Sequence, residues 1–225
     1  MSTKKKSERK KETGFRILNE FKPKTVNQSD YVRSIVENDV TFCTGPAGCG
    51  KTACAVGLAA SWLASGRISK IVITRPIVET GRKGLGFLPG SLQEKIHPYL
   101  IPILDEFERY FDTWQMEDLI RTGDIDIAPL EYMRGRNFHN CFMLLDEAQN
   151  TTYDQLKMFM TRIGQNSKCV INGDLRQSDL RESVNALGLC MDKLDGTEGV
   201  GICELTHEDI LRSGIISRIL FKLEN

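Results

Sequence analysis

The chain has 225 residues, in which 30 lysines and arginines balance 30 aspartates and glutamates and 40% of positions are hydrophobic. That length supports one good core with decoration, and no apolar run reaches the roughly 18 residues needed to span a membrane. Bulk charge neither announces nor excludes a nucleic-acid partner, while seven cysteines without a C-x-x-C pair and three histidines without ligand-like spacing read as core thiols of a reducing compartment and no zinc site, hence a cytoplasmic protein.

The chain opens on Lys4, Lys5, Lys6, Arg9, Lys10 and Lys11 against the single acid Glu8. Such a run is a solvated, disordered tail or, alternatively, an arm for nucleic-acid phosphates; residues 1–21 are assigned to it and 22–225 to a single domain. After FKPKTVNQSDYVRSIVEN comes the first strong strand, Val40 to Cys43. It delivers into a glycine-rich stretch, and an alanine-rich helix from Lys51 to Ala64 stops ahead of Gly66. Further strands are predicted at Lys70–Thr74, Phe142–Asp146, Lys168–Asn172 and Gly201–Leu205. These runs are nearly continuous in apolar residues, the pattern of parallel strands covered on both faces, so the class is α/β. Between Arg75 and Phe142 a long insert predicts a short helix, a break near Pro98, and a second helix with Leu100, Ile103, Leu104, Phe107 and Phe111 on one face. Farther on, Thr152 and Gln155 have capping-box spacing, and Leu156, Phe159, Met160 and Ile163 recur at helical intervals until Gly164.

The glycine-rich stretch, Gly45-Pro46-Ala47-Gly48-Cys49-Gly50-Lys51-Thr52, fits G-x-x-x-x-G-K-S/T at every fixed position. Glycines let successive N–H groups turn inward around phosphate oxygens, Lys51 brings a point charge to the β/γ-phosphates, and the Thr52 hydroxyl can ligate Mg2+. The following helix adds its N-terminal dipole. Cys49 is an incidental small residue of that loop. About a hundred residues later, Asp146 ends an apolar strand where a carboxylate can hold Mg2+, and Glu147 beside it can polarise the water that attacks a γ-phosphate. If the Lys168–Asn172 strand lies beside the one ending at Asp146, Asp174 and Gln177 emerge at the same carboxyl edge, where open α/β sheets bind ligands.

These motifs in this order resemble the nucleotide-binding core of superfamily-one helicases. The stretches TRPIVETGRKGLGFLPGSLQEKIHPYL, IAPLEYMRGRNFHN and LLDEAQNTTYDQLKMFMTRIG resemble the PhoH family of ATPases, and the similarity runs from about Lys22 to Leu220. The resemblance implies a P-loop, RecA-like three-layer sandwich with a mainly parallel sheet and a helical insert. It also implies that Gln28 meets an adenine edge, that Gly48, Gly50, Lys51 and Thr52 serve phosphate and metal, and that Asp146, Glu147 and Gln177 form the hydrolytic edge. Arg75 matches a position whose loop faces nucleic acid. Arg212 matches a family arginine able to reach a phosphate of its own or a neighbouring subunit, although Ser213 stands where the family commonly has histidine.

Two readings of function follow. One is an Mg2+-dependent ATPase that moves or remodels RNA, or single-stranded nucleic acid more broadly, with RNA helicase activity as its fullest form. The other is an ATP-switched oligomeric module that recruits a nuclease or ribosome-associated partner. A phosphoryl-transfer kinase fits less well, because it has no use for the water-activating Glu147. A single core of this type must complete its site with a neighbour or work slowly; the resemblance implies a homo-oligomeric ring, expected as a hexamer, and the need for an arginine beyond the loop lysine at the γ-phosphate predicts that Arg212 or Arg218 of one subunit completes the site of the next.

Overall fold

The apolar runs become six strands of one sheet in the computed structural model, which describes residues 17–76, 92–177, 185–211 and 222. β1 (Val40–Thr44), β2 (Lys70–Thr74), β3 (Ile125–Ile127), β4 (Cys141–Leu145), β5 (Lys168–Gly173) and β6 (Val200–Glu204) stand in the order β3-β2-β4-β5-β1-β6. Every neighbouring pair is parallel, so all carboxyl ends share one edge of the sheet. The helices are α1 (Val26–Glu37), α2 (Lys51–Ala64), α3 (Leu92–Phe107), α4 (Thr113–Thr122), α5 (Tyr153–Met160) and α6 (Ala186–Leu194).

Side chains along a strand alternate between the two faces of the sheet, and here both faces are covered. From β4, Phe142 and Leu144 join Tyr31 and Ile35 of α1 and Trp62 and Leu63 of α2 in one core. Cys141, Met143 and Leu145 join Leu156 and Phe159 of α5 and Leu187 of α6 in the other. All five β4 residues are buried, which explains why the strand lacks a polar face. At roughly 1.5–3 kcal/mol for each large apolar side chain removed from water, these two layers supply the main stabilisation of the sandwich. All seven cysteines are free, six of them buried, as expected of core thiols. No helix among the described residues is long and apolar enough to cross a membrane.

Two sequence expectations need correction. The insert does not break near Pro98: α3 runs through Pro98 and Pro102 without interruption. Each proline removes an N–H and crowds a carbonyl one turn back, but Leu100, Ile103 and Phe107 are buried and the helix packs on α2, which outweighs the local defect. Phe111 lies past its end, turned back by Phe111 N–H donating to Phe107 O at 3.0 Å, yet reaches the same core. Similarly, α5 ends at Met160 and not at Gly164. Ile163 instead bridges Phe138, and Gly164 N–H donates to Phe138 O at 2.8 Å, so tertiary pairing overrides helical periodicity there. The Thr152–Gln155 capping box is present as expected.

Candidate active site

β1 hands the chain to the glycine loop at the carboxyl edge, and the loop geometry requires its glycines. Gly45 has φ +151°, and a Cβ there would stand 2.4 Å from Leu205 O; Gly50 has φ +96°, with Gln28 Nε2 at 2.7 Å from any Cβ. Gly50 is also the N-cap of α2, which has no side-chain cap. The first N–H groups of this 14-residue helix therefore remain free of side-chain acceptors, the arrangement that suits an anion. Lys51 Nζ folds over the loop, donating to Gly45 O at 2.6 Å and Pro46 O at 3.1 Å, with Cys49 Sγ at 3.7 Å. Cys49 is fully buried and its thiol is pushed up by that burial, against the opposing pull of Lys51, which suits a packing role.

β4 lies between β2 and β5, so its end meets residues from both. Asp146 is buried and accepts a hydrogen bond from Thr52 Oγ1 at 3.0 Å. Burial, then the neighbouring Glu147, raises its carboxyl to about 6, opposed by Arg75, Thr52 and Lys51. Glu147 sits in the left-handed region at φ 56°, a conformation that disfavours a non-glycine residue by about 1–3 kcal/mol. Its carboxylate is held on both sides: Arg75 Nη2 approaches Oε1 at 2.5 Å and Gln149 Nε2 donates to Oε2 at 2.5 Å. Gln149 Oε1 in turn accepts from Asp174 N–H at 3.0 Å, which ties the end of β4 to the end of β5.

A cleft of about 910 Å3 opens over these groups. Its lining includes Lys51, Thr52, Asp146 and Glu147 together with Glu106 and Tyr110 from the helical insert. Gln28, buried on α1, accepts from Lys24 N–H at 2.9 Å and donates to Cys49 O at 3.0 Å, which sets it against the back of the loop. Gln177 is exposed just beyond Asp174 and is not among the cleft-lining residues. Arg212 and Arg218 lie outside the described residues, as do the basic run at residues 4–11 and the GFLPG stretch.

The Thr52 hydroxyl and Asp146 carboxylate are adjacent hard-oxygen donors in the cleft lining. No group of three or more His, Cys, Asp or Glu with metal-holding geometry occurs among the described residues. That donor set fits Mg2+, which takes one or two protein oxygens and fills its remaining positions with phosphate and water. Sequence reasoning missed three parts of the site: the pairing of Arg75 with Glu147, the bridging role of Gln149, and the buried carboxylate of Asp209 on the cleft wall. The first had no signal in spacing, since the partners are 72 positions apart. Gln149 stood in plain view within DEAQ.

The family model described as PhoH-like protein matches residues 20–224. The chain is 44% identical over 198 residues to a PhoH-like protein of Synechocystis, covering 88% of this chain and 60% of the relative. It is 45% identical over 198 residues to a PhoH-like protein of Bacillus subtilis, covering 88% and 62%, and 40% identical over 196 residues to Protein PhoH of Escherichia coli K12, covering 86% and 55%. The chain thus spans about three fifths of the length of these curated relatives. Among solved structures, a large terminase from a thermophilic bacteriophage superposes with a TM-score of 0.57 at 11% identity, over 89% of this chain and 50% of that one. The Pyrococcus furiosus Hef helicase domain superposes with a TM-score of 0.51 at 11% identity, over 83% and 39%. At that identity the likeness concerns the fold, and the fold is that of a P-loop NTPase core.

Proposed function

The chain belongs to the PhoH-like family, and from that premise we propose that it binds ATP with Mg2+ in the cleft and hydrolyses it in the cytoplasm to remodel RNA or single-stranded nucleic acid. The observation that carries this reading is the meeting of Thr52 Oγ1 with Asp146 Oδ1 at 3.0 Å, with Glu147 next in the chain. An uncapped helix N-terminus, paired oxygen donors and a carboxylate base then share one cleft. Lys51 and the loop N–H groups hold the β- and γ-phosphates. Gln28 meets the adenine edge. Bound Mg2+, held by Thr52 and Asp146, would neutralise charge on the phosphate oxygens. Glu147 orients the attacking water and accepts its proton. Arg212 completes the site, from its own or a neighbouring subunit of a ring.

The test is ATP turnover with and without single-stranded RNA, run beside solution mass, for wild type, Lys51→Ala and Glu147→Gln. Lys51→Ala should weaken ATP binding, whereas Glu147→Gln should bind ATP and turn over at least about a hundredfold more slowly. Normal hydrolysis by Glu147→Gln would remove that residue from the role of base. The second reading, an ATP-switched module that recruits a nuclease or ribosome-associated partner, draws support from one observation: both Glu147 oxygens are taken, by Arg75 and Gln149, which restrains a base. Turnover indifferent to RNA, in a protein whose mass rises with ATP, would select it.

A further inference from the structure

The Gln28 amide presents a fixed face. Its Oε1 accepts from Lys24 N–H and its Nε2 donates to Cys49 O, so the amide cannot turn over without losing both partners. A glutamine amide carries two donor hydrogens and an oxygen with two lone pairs, so one donor and one acceptor remain beyond those that Cys49 and Lys24 use. That pair matches the N6–H donor and N7 acceptor of adenine, whereas guanine presents two acceptors, O6 and N7, on the same edge.

The first turn of α1 keeps the amide in place. Thr25 caps the helix by accepting from Gln28 N–H at 3.1 Å. The same hydroxyl donates to Asp209 Oδ1 at 2.5 Å. Asp209 Oδ2 accepts from Asn27 Nδ2 at 3.0 Å, from Thr206 N–H at 2.7 Å and from Thr206 Oγ1 at 3.4 Å. This carboxylate is buried, lies 184 positions from Thr25 along the chain, and forms part of the cleft wall. A helix cap needs only the one acceptor that Thr25 supplies. A buried charge reaching across the fold to hold the cap itself does something more: it fixes where the cap, and the amide three residues on, can stand.

We propose that Asp209 is the positioning residue that sets base selectivity, pinning Thr25 and Asn27 so that the Gln28 amide is locked in the orientation that matches adenine and opposes guanine. The inference rests on the ATP-binding reading above. Without Asp209 the Thr25 hydroxyl can still cap α1, so the fold persists while the amide loses its fixed frame.

The experiment is equilibrium binding of ATP, GTP and inorganic tripolyphosphate, with Mg2+, to the full chain and to its Asp209→Ala and Asn27→Ala variants. Asp209→Ala should lose about tenfold of the ATP-over-GTP preference, the weaker end of what a bidentate base contact supplies, while tripolyphosphate affinity stays within about twofold. Asn27→Ala, which removes one contact from the α1 side, should shift the preference in the same direction by less, and carries the test if Asp209→Ala does not fold. An unchanged ATP:GTP ratio in the variants overturns the proposal, as does parallel weakening of all three ligands, which marks a merely structural cap. Wild type that binds ATP and GTP equally also overturns it and leaves ATP binding standing. Wild type that binds none of the three ligands sinks the ATP-binding reading itself.

Discussion

Asparagine in place of Asp146 removes a charge that the fold holds at a disadvantage, while keeping the shape and the acceptor that Thr52 uses. Burial and then the neighbouring Glu147 raise this carboxyl from 3.8 to about 6, more than Arg75, Thr52 and Lys51 can offset. At about 1.4 kcal/mol per pH unit, ionisation inside the fold is unfavourable by about 3 kcal/mol. The folded chain therefore holds the proton more tightly than the unfolded chain. Wild-type stability falls as pH rises from 3.8 to about 6, and the whole penalty stands above that window. Asp146→Asn does not ionise and avoids it. Urea unfolding in EDTA should find the two proteins nearly equal at about pH 4 and the variant more stable by about 3 kcal/mol at about pH 7.5. An identical gap at both pH values, or a less stable variant at the higher one, would refute the buried-charge account.

Arg75→Ala takes one of the two side-chain partners from the Glu147 carboxylate and leaves Gln149, so single-turnover hydrolysis should fall roughly ten- to a hundredfold with ATP affinity little changed; a rise in turnover would mean that Arg75 restrains the base and would favour the switch reading. Gly45→Ala puts a Cβ 2.4 Å from Leu205 O at φ +151°, and urea unfolding should record a loss of about 2–4 kcal/mol, a loss below about 0.5 kcal/mol ruling out so tight a loop. If the chain forms the proposed ring, mixtures of Glu147→Gln and Arg212→Ala subunits should hydrolyse more ATP than the two variants apart, since some sites then combine an intact glutamate with a neighbour's arginine. No gain, with native mass confirming subunit exchange, excludes Arg212 acting in trans.

The parts of the fold legible in sequence were those fixed by local chemistry. α2 spans the expected Lys51–Ala64 because its start is set by the loop and its end by the Ser65–Gly66 break. The central strands were visible as apolar runs because both their faces are buried. β3 was not, since it has only three residues with Asp126 at its centre, and its strand conformation comes from pairing with β2. Nor was α1 legible as a helix: only Tyr31 and Ile35 of its apolar residues are buried, too sparse a stripe to stand out against a polar stretch. α4 was hidden within the insert although its capping box, Asp112 and Gln115, and its Gly123 stop are ordinary local signals.

The site divides along the same line. The glycine loop and Asp146-Glu147 are contiguous motifs, and each carries its geometry within a few residues. Their partners depend on strand order, which spacing does not encode. β2 adjoins β4, so Arg75, the first residue after β2, meets Glu147, the second after β4. β5 adjoins β4 on the other side, so Gln149 can reach Asp174 N–H. The resemblance matches Arg75 to a position whose loop faces nucleic acid, and the structure adds the contact of its side chain with the Glu147 carboxylate. If nucleic acid engages the segment after Arg75, that guanidinium offers one route to the Glu147 carboxylate. Comparing the RNA stimulation of Arg75→Ala with that of Arg75→Lys isolates this route. The lysine keeps the charge without the planar fork, so it should retain part of the stimulation that alanine abolishes. Equal stimulation in both variants and wild type would mean that RNA reaches the site some other way.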